Sequence, residues 1–167
     1  MNNQDKLLTN AETMRHILTV RSLLLQCIKD LTIRANEHDK SKLEELEVES
    51  FIKFTPKLKD TVYGSDEYNK FLQDMKPSLD HHYKHNSHHP QHYENGINGM
   101  NLFDILEMLC DWKASTLRTK DGDLTKSLFL NKERFAIDDQ LFQIINNTIP
   151  IIEELAKESN INVSYPQ

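Results

Sequence analysis

Two cysteines, four glycines and five prolines are all that 167 residues hold of those types. Cys27 and Cys110 allow no disulfide framework and suit a reducing compartment, so a cytoplasmic location is expected. So little glycine and proline cannot punctuate a turn-rich β fold, while plentiful Leu, Glu, Lys and Ile favour helices. Long apolar runs are missing too. The densest early stretch, Ser22 to Ile28, falls far short of the roughly 18 residues a membrane span needs. Met1 to Leu8 lacks the basic region, apolar core and small-residue cleavage site of a secretory signal, and none is expected. Positive charge is the minority sign: 20 Lys plus Arg against 26 Asp plus Glu leave a net charge of -6. Such a surface repels phosphate backbones and argues against non-specific nucleic-acid binding. A single cleft that gathers cations could still accept a small phosphorylated molecule.

The length predicts one domain over residues 1–167, large enough for a single core. Asn10 can cap a helix whose Met14, Ile17, Leu18, Leu24, Leu25, Ile28, Leu31 and Ala35 recur at helical spacing to about His38. A second pattern, from Ser41 to about Phe54, ends before Pro56, with Leu43, Leu46 and Phe51 as candidates for a core. Lys57 to Ser65 reads as a loop turning at Gly64. Ser65 can cap a helix through Met75, and Pro77 suits the start of another running to about His85. Asn86 to Gly99 reads as loop. Asn101 can cap a helix from Leu102 to about Leu117, Asp121-Gly122-Asp123 reads as a turn, and the last helix spans Asp138 to about Ser159 with Pro150 inside it. Tyr165 to Gln167 are expected to fray. The fold class is all-α, a helical bundle with its metal-site core in about 10–120 and its C-terminal helix at about 138–159.

What the chain has in unusual supply is histidine: eight in all, six of them between His81 and His92. Four separated places offer metal-type ligands, namely His16, the pair His38-Asp39, the cluster 81–92 and Asp111. Imidazole nitrogens mixed with carboxylate oxygens suit Mn, Zn, Fe, Co or Ni, and residues on different helices can converge inside a bundle. One geometric condition follows. On a straight helix His16 and His38 would lie about 33 Å apart, so both can bind one ion only if the chain reverses near Gln26 to Asp30. Adjacent His38 and Asp39 can share an ion only where a helix ends, with Ser41 as cap of the next helix and Lys42 near enough to hold a phosphate oxygen. Asp104, Glu107 and Asp111 share one face of their helix, and Glu107 suits a supporting or water-positioning role. Pro90 disfavours helix at His89, which puts His88 and His89 in a departing loop. His82, His88 and His89 are the choices for metal, with His81 close behind; His81, His85 and Lys42 are assigned to substrate. Trp112 reads as core or pocket wall, and Cys110 as a small buried apolar residue.

The order His16, His38-Asp39-x-Ser41-Lys42, His81-His82, His88-His89 and Glu107-Met108-x-Cys110-Asp111 resembles the HD-domain metal-dependent phosphohydrolase superfamily. It is most similar to a family of small uncharacterised HD-like proteins from bacteria and phages. Ser41 stands where the His-Asp-x-Gly-Lys form has glycine, and the likeness covers roughly Arg15 to Ser115. It implies His16, His38, Asp39 and Asp111 as metal ligands. It also implies a second ion at the paired histidines, somewhat as in the HD-GYP branch. Asn95-Gly96-Ile97-Asn98-Gly99 carries no Gly-Tyr-Pro, so a cyclic dinucleotide is not implied.

The expected function is therefore metal-dependent hydrolysis of a nucleotide or other small phosphate ester, with one or two divalent transition ions. His38, Asp39, Asp111 and His16 would hold one ion, and His82, His88 and His89 a second ion or the phosphate. Lys42 and Glu107 would be the catalytic side chains. Two rivals stand beside it: an HD-type di-iron oxygenase, and a non-catalytic metal- or nucleotide-binding module.

Overall fold

The computed structural model describes residues 2–62, 65–118 and 122–159. The expected turn at Gly64, the Asp121 end of the second turn, and the tail at Tyr165 to Gln167 lie outside them. Among the described residues there are seven α-helices and no strand, as the composition predicts. They are α1 (Asn3–Glu37), α2 (Glu45–Asp60), α3 (Asp66–Asp74), α4 (Lys76–His85), α5 (Leu102–Thr116), α6 (Leu124–Arg134) and α7 (Asp139–Glu158). None is long and apolar enough to cross a membrane. The chain divides into two compact units, Met1–His38 and Asp39–Gln167.

The first unit is α1. It runs unbroken for 35 residues, begins at the cap Asn2, whose side chain accepts from the Gln4 N–H, and buries none of its residues. The reversal between His16 and His38 is therefore absent: no Gly or Pro interrupts the stretch, and the helical period simply continues. The two histidines stand about 33 Å apart along one axis.

The second unit holds the bundle. Met108 and Leu109 of α5, Leu124 and Leu128 of α6 and Ile145 and Ile149 of α7 form the centre of its core. Helix starts follow local chemistry. Ser65 Oγ accepts from the Tyr68 N–H, and Asp138 caps α7 through the Leu141 N–H. Asn101 and Asp104 form a reciprocal capping box on α5.

Three expectations need correction. α2 continues through Pro56 to Asp60 instead of stopping before it. Leu43 and Leu46 are exposed, and the buried apolar residue of α2 is Phe54, with Phe51 half-buried. α6 was not expected; its signal is Asp123, which caps it through the Lys126 N–H, followed by Leu124 and Leu128 one turn apart.

Candidate metal centre

α1 ends at Glu37, with His38 as its C-cap, and the next residue takes a left-handed backbone: Asp39 has φ 56° and ψ 13°. An L-residue pays for that conformation, and aspartate tolerates it better than most. A 3₁₀ turn over Lys40–Leu43 follows. Ser41 is not the cap of α2; that position belongs to Glu44, and the Ser41 hydroxyl is buried 3.1 Å from His82 Nδ1.

α2 packs on α4, which brings Glu47 against His81 and His82. α4 ends at Asn86, and the chain leaves through His88 and His89. His89 is extended (φ −96°, ψ 129°), as the following Pro90 requires. Asp104 holds this departing loop: its carboxylate accepts from the Ser87 hydroxyl, the Tyr93 hydroxyl and the Asn101 N–H at 2.8, 2.8 and 2.9 Å.

Four side chains of the second unit converge. Asp39, His82, His88 and His89 each present one ligand atom, and these atoms all lie within 4.8 Å of one another. Asp39 Oδ1 is 3.3 Å from His82 Nε2 and 3.5 Å from His88 Nε2, and the Nε2 atoms of His82 and His89 are 2.9 Å apart. Three of the four groups are held on their opposite edge as well. His82 Nδ1 donates to Glu47 Oε2 at 3.0 Å, and His88 Nδ1 faces Glu107 Oε1 at 3.2 Å. Lys42 Nζ pairs with Asp39 Oδ2. A carboxylate on Nδ1 fixes the tautomer that leaves Nε2 as a lone pair, which is how metal-binding histidines are oriented.

Electrostatics agree with that arrangement. Burial, and then the neighbouring His88 and His82, push the His89 pKa from 6.5 down to about 2, so its imidazole stays neutral. Three imidazoles and one carboxylate form a donor set suited to a divalent transition ion.

Of the remaining expected site residues, Asp111 offers a carboxylate oxygen within 4.8 Å of one of Asp39, while His16, His81 and His85 do not join the group. His16 belongs to α1, and an ion cannot take both it and His38 of the same chain. His81 is turned to the other oxygen of Glu47, Oε1, at 2.6 Å, and His85 is exposed, its Nδ1 donating to the His81 carbonyl. Neither joins the four converging groups. Lys42 is held against Asp39 and lies 5.5 Å from the Phe51 ring, so it is a neighbour of the carboxylate first. Glu107 lies against His88 Nδ1. Cys110 is exposed rather than buried; desolvation first, then Glu107 and Asp111, raise its thiol pKa and keep it protonated. Asp111 and Trp112 line a cleft of about 570 Å³ that His89 also borders, together with Tyr83, Lys126 and Arg134. A half-buried Trp112 is thus pocket wall, stacked at 9° on Phe135.

Sequence reading missed Glu47, one of the most deeply buried polar groups in the chain. Its signal was available: Glu47, Phe51 and Phe54 follow each other at i, i+4 and i+7, which puts the carboxylate on the buried stripe of α2.

Fold and site together define an all-α protein with a three-histidine, one-carboxylate cluster beside an open cleft. Residues 6–154 match the model of a family described as a family of unknown function (DUF5662), and the chain belongs to that family. No curated protein and no solved structure matches it.

Proposed function

We propose that this protein is a metal-dependent phosphohydrolase acting on a nucleotide or another small phosphate ester, with Asp39, His82, His88 and His89 holding a divalent transition ion. One observation carries the reading: four ligand atoms face one point while Glu47, Glu107 and Lys42 hold the far edges of three of the four groups. A chance surface cluster of histidines would not have a buried and a part-buried carboxylate set against the outward nitrogens of two of them. His38 and Asp111 enter from the sequence resemblance, His38 as the residue bonded to Asp39 and Asp111 as a carboxylate within 4.8 Å of Asp39 and a wall of the adjoining cleft.

A bound ion would acidify a water molecule and offset charge on phosphoryl oxygens. The chain's own groups do the rest. Glu47 and Glu107 keep the imidazoles oriented, and Lys42 balances the Asp39 carboxylate. The cleft beside His89 can seat the leaving group, with Tyr83 and Trp112 as apolar walls and Lys126 and Arg134 as cations for a second anionic group.

The test is metal analysis of protein purified without chelators, joined to a phosphate-release screen over nucleotides and simple phosphate esters. Wild type should retain metal and release phosphate, and Asp39→Ala and His88→Ala should lose both. Equal metal content in all three would overturn the site. Metal retention without turnover of any ester would replace the hydrolase by a non-catalytic metal-binding module.

A further inference from the structure

A second feature is independent of the metal cluster. α1 buries none of its 35 residues, yet Leu7, Met14, Ile17, Leu24 and Ile28 are each more than half exposed. These are not scattered. With Leu31 they follow steps of 7, 3, 7, 4 and 3 residues and fill six of the eight a and d positions of a heptad repeat from Leu7 to Leu31, Asn10 and Arg21 taking the other two. A strict seven-residue period drifts on an isolated α-helix and stays on one line only when two helices supercoil about each other. Leu18 and Leu25, also more than half exposed, occupy the next position and widen the stripe.

We infer that α1 pairs with α1 of a second copy of this chain as a two-stranded coiled coil. The occupant follows from length and period. The longest other described helix, α7, has 20 residues, and no described helix besides α1 is long enough to cover a seam running from Leu7 to Leu31. A second copy supplies the same length and the same repeat. The area fits a concentration-dependent dimer: the seam from Leu7 to Leu31 is about 36 Å long, and at about 10 Å wide on each copy it removes roughly 700 Å² in all, the size of a weak, reversible interface. Arg21 occupies an a position in mid-seam. A charged residue there costs stability and restricts register, the usual role of a lone polar a residue.

Sedimentation equilibrium of the full chain over a concentration series tests this. Wild type should be a dimer. Leu24→Glu combined with Ile17→Glu should be a monomer with unchanged helix content by circular dichroism, since neither side chain is buried within the chain. Gln26→Glu, on the opposite face of the helix, should remain dimeric. Arg21→Leu should tighten the dimer by tenfold or more. A monomeric wild type throughout the series, or a seam variant that dimerises as well as wild type, would overturn the inference.

Discussion

Glu47 Oε2 lies 3.0 Å from His82 Nδ1, and both side chains are buried. The carboxylate has no solvent to support its charge, so the two imidazole N–H groups of His81 and His82 are what stabilise it. The histidine in turn owes its tautomer to the carboxylate.

Glu47→Gln should therefore weaken metal affinity about 10- to 100-fold while preserving the fold, because an amide accepts a hydrogen bond but holds Nδ1–H less firmly. Competition titration against a chromophoric chelator reads this directly. Glu47→Ala, which leaves the buried His82 and the part-buried His81 without their acceptor, should also cost about 2–4 kcal/mol of stability. Unchanged affinity in both variants would show that His82 is not a ligand.

Asp104 is a structural group, not a chemical one. Its carboxylate joins the departing histidine loop to the start of α5 through three hydrogen bonds. Asp104→Ala should lower stability by about 2–4 kcal/mol, from the loss of three hydrogen bonds to one buried carboxylate. Urea denaturation measures it. Metal affinity should fall with it, since His88 and His89 sit in the loop that Ser87 and Tyr93 anchor.

His89 makes the metal-free protein sensitive to acid. Unfolded, it takes up a proton at its ordinary value of 6.5; folded, it resists until about pH 2. Between those values the unfolded state binds more protons, so stability falls as pH drops below 6.5 and is unaffected by this group above it. The groups facing it are His88, His82, Asp39 and Lys42. Urea midpoints of chelator-treated protein from about pH 7.5 to 5.5 should decrease for wild type and decrease less for His89→Gln. Parallel profiles would remove His89 from the account.

Metal should stabilise the fold by mass action. At about 1,000 times the dissociation constant the gain is about 4 kcal/mol, visible as a raised unfolding midpoint that chelator reverses. Asp39→Asn, which removes the one carboxylate among the converging groups, should lose most of that gain. A variant with the full gain would place the ion elsewhere.

Much of this was legible before any coordinates. Period and composition predict an all-helical chain, and Ser65, Asn101 and Asp138 cap helices where short polar side chains stand ahead of an apolar pattern. Asp39, His82, His88 and His89 were all named as ligands from residue type and spacing. Pro90 alone was enough to place His89 in extended backbone.

What stayed hidden was hidden for physical reasons. Pro56 reads as a stop because it lacks an N–H, yet α2 absorbs the loss of one hydrogen bond and continues. The apolar repeat of α1 shows which face wants burial but cannot say against what. Glu47 stands among Glu44, Glu45 and Glu49 at the start of α2, and of these four carboxylates only Glu47 is fully buried.

By itself, then, the chain's order of residues determined where many helices begin, which side chains are of metal-ligand type, and that the described residues form no strand, because these follow from residue type and from neighbours within one or two turns. Tertiary structure alone decided that Glu47 meets His82, that Glu107 meets His88, and that His81 and His85 stand outside the converging group. Those pairings join residues up to 35 positions apart, and no local preference encodes them; they exist because α2 packs on α4 and the loop after α4 folds back on α5.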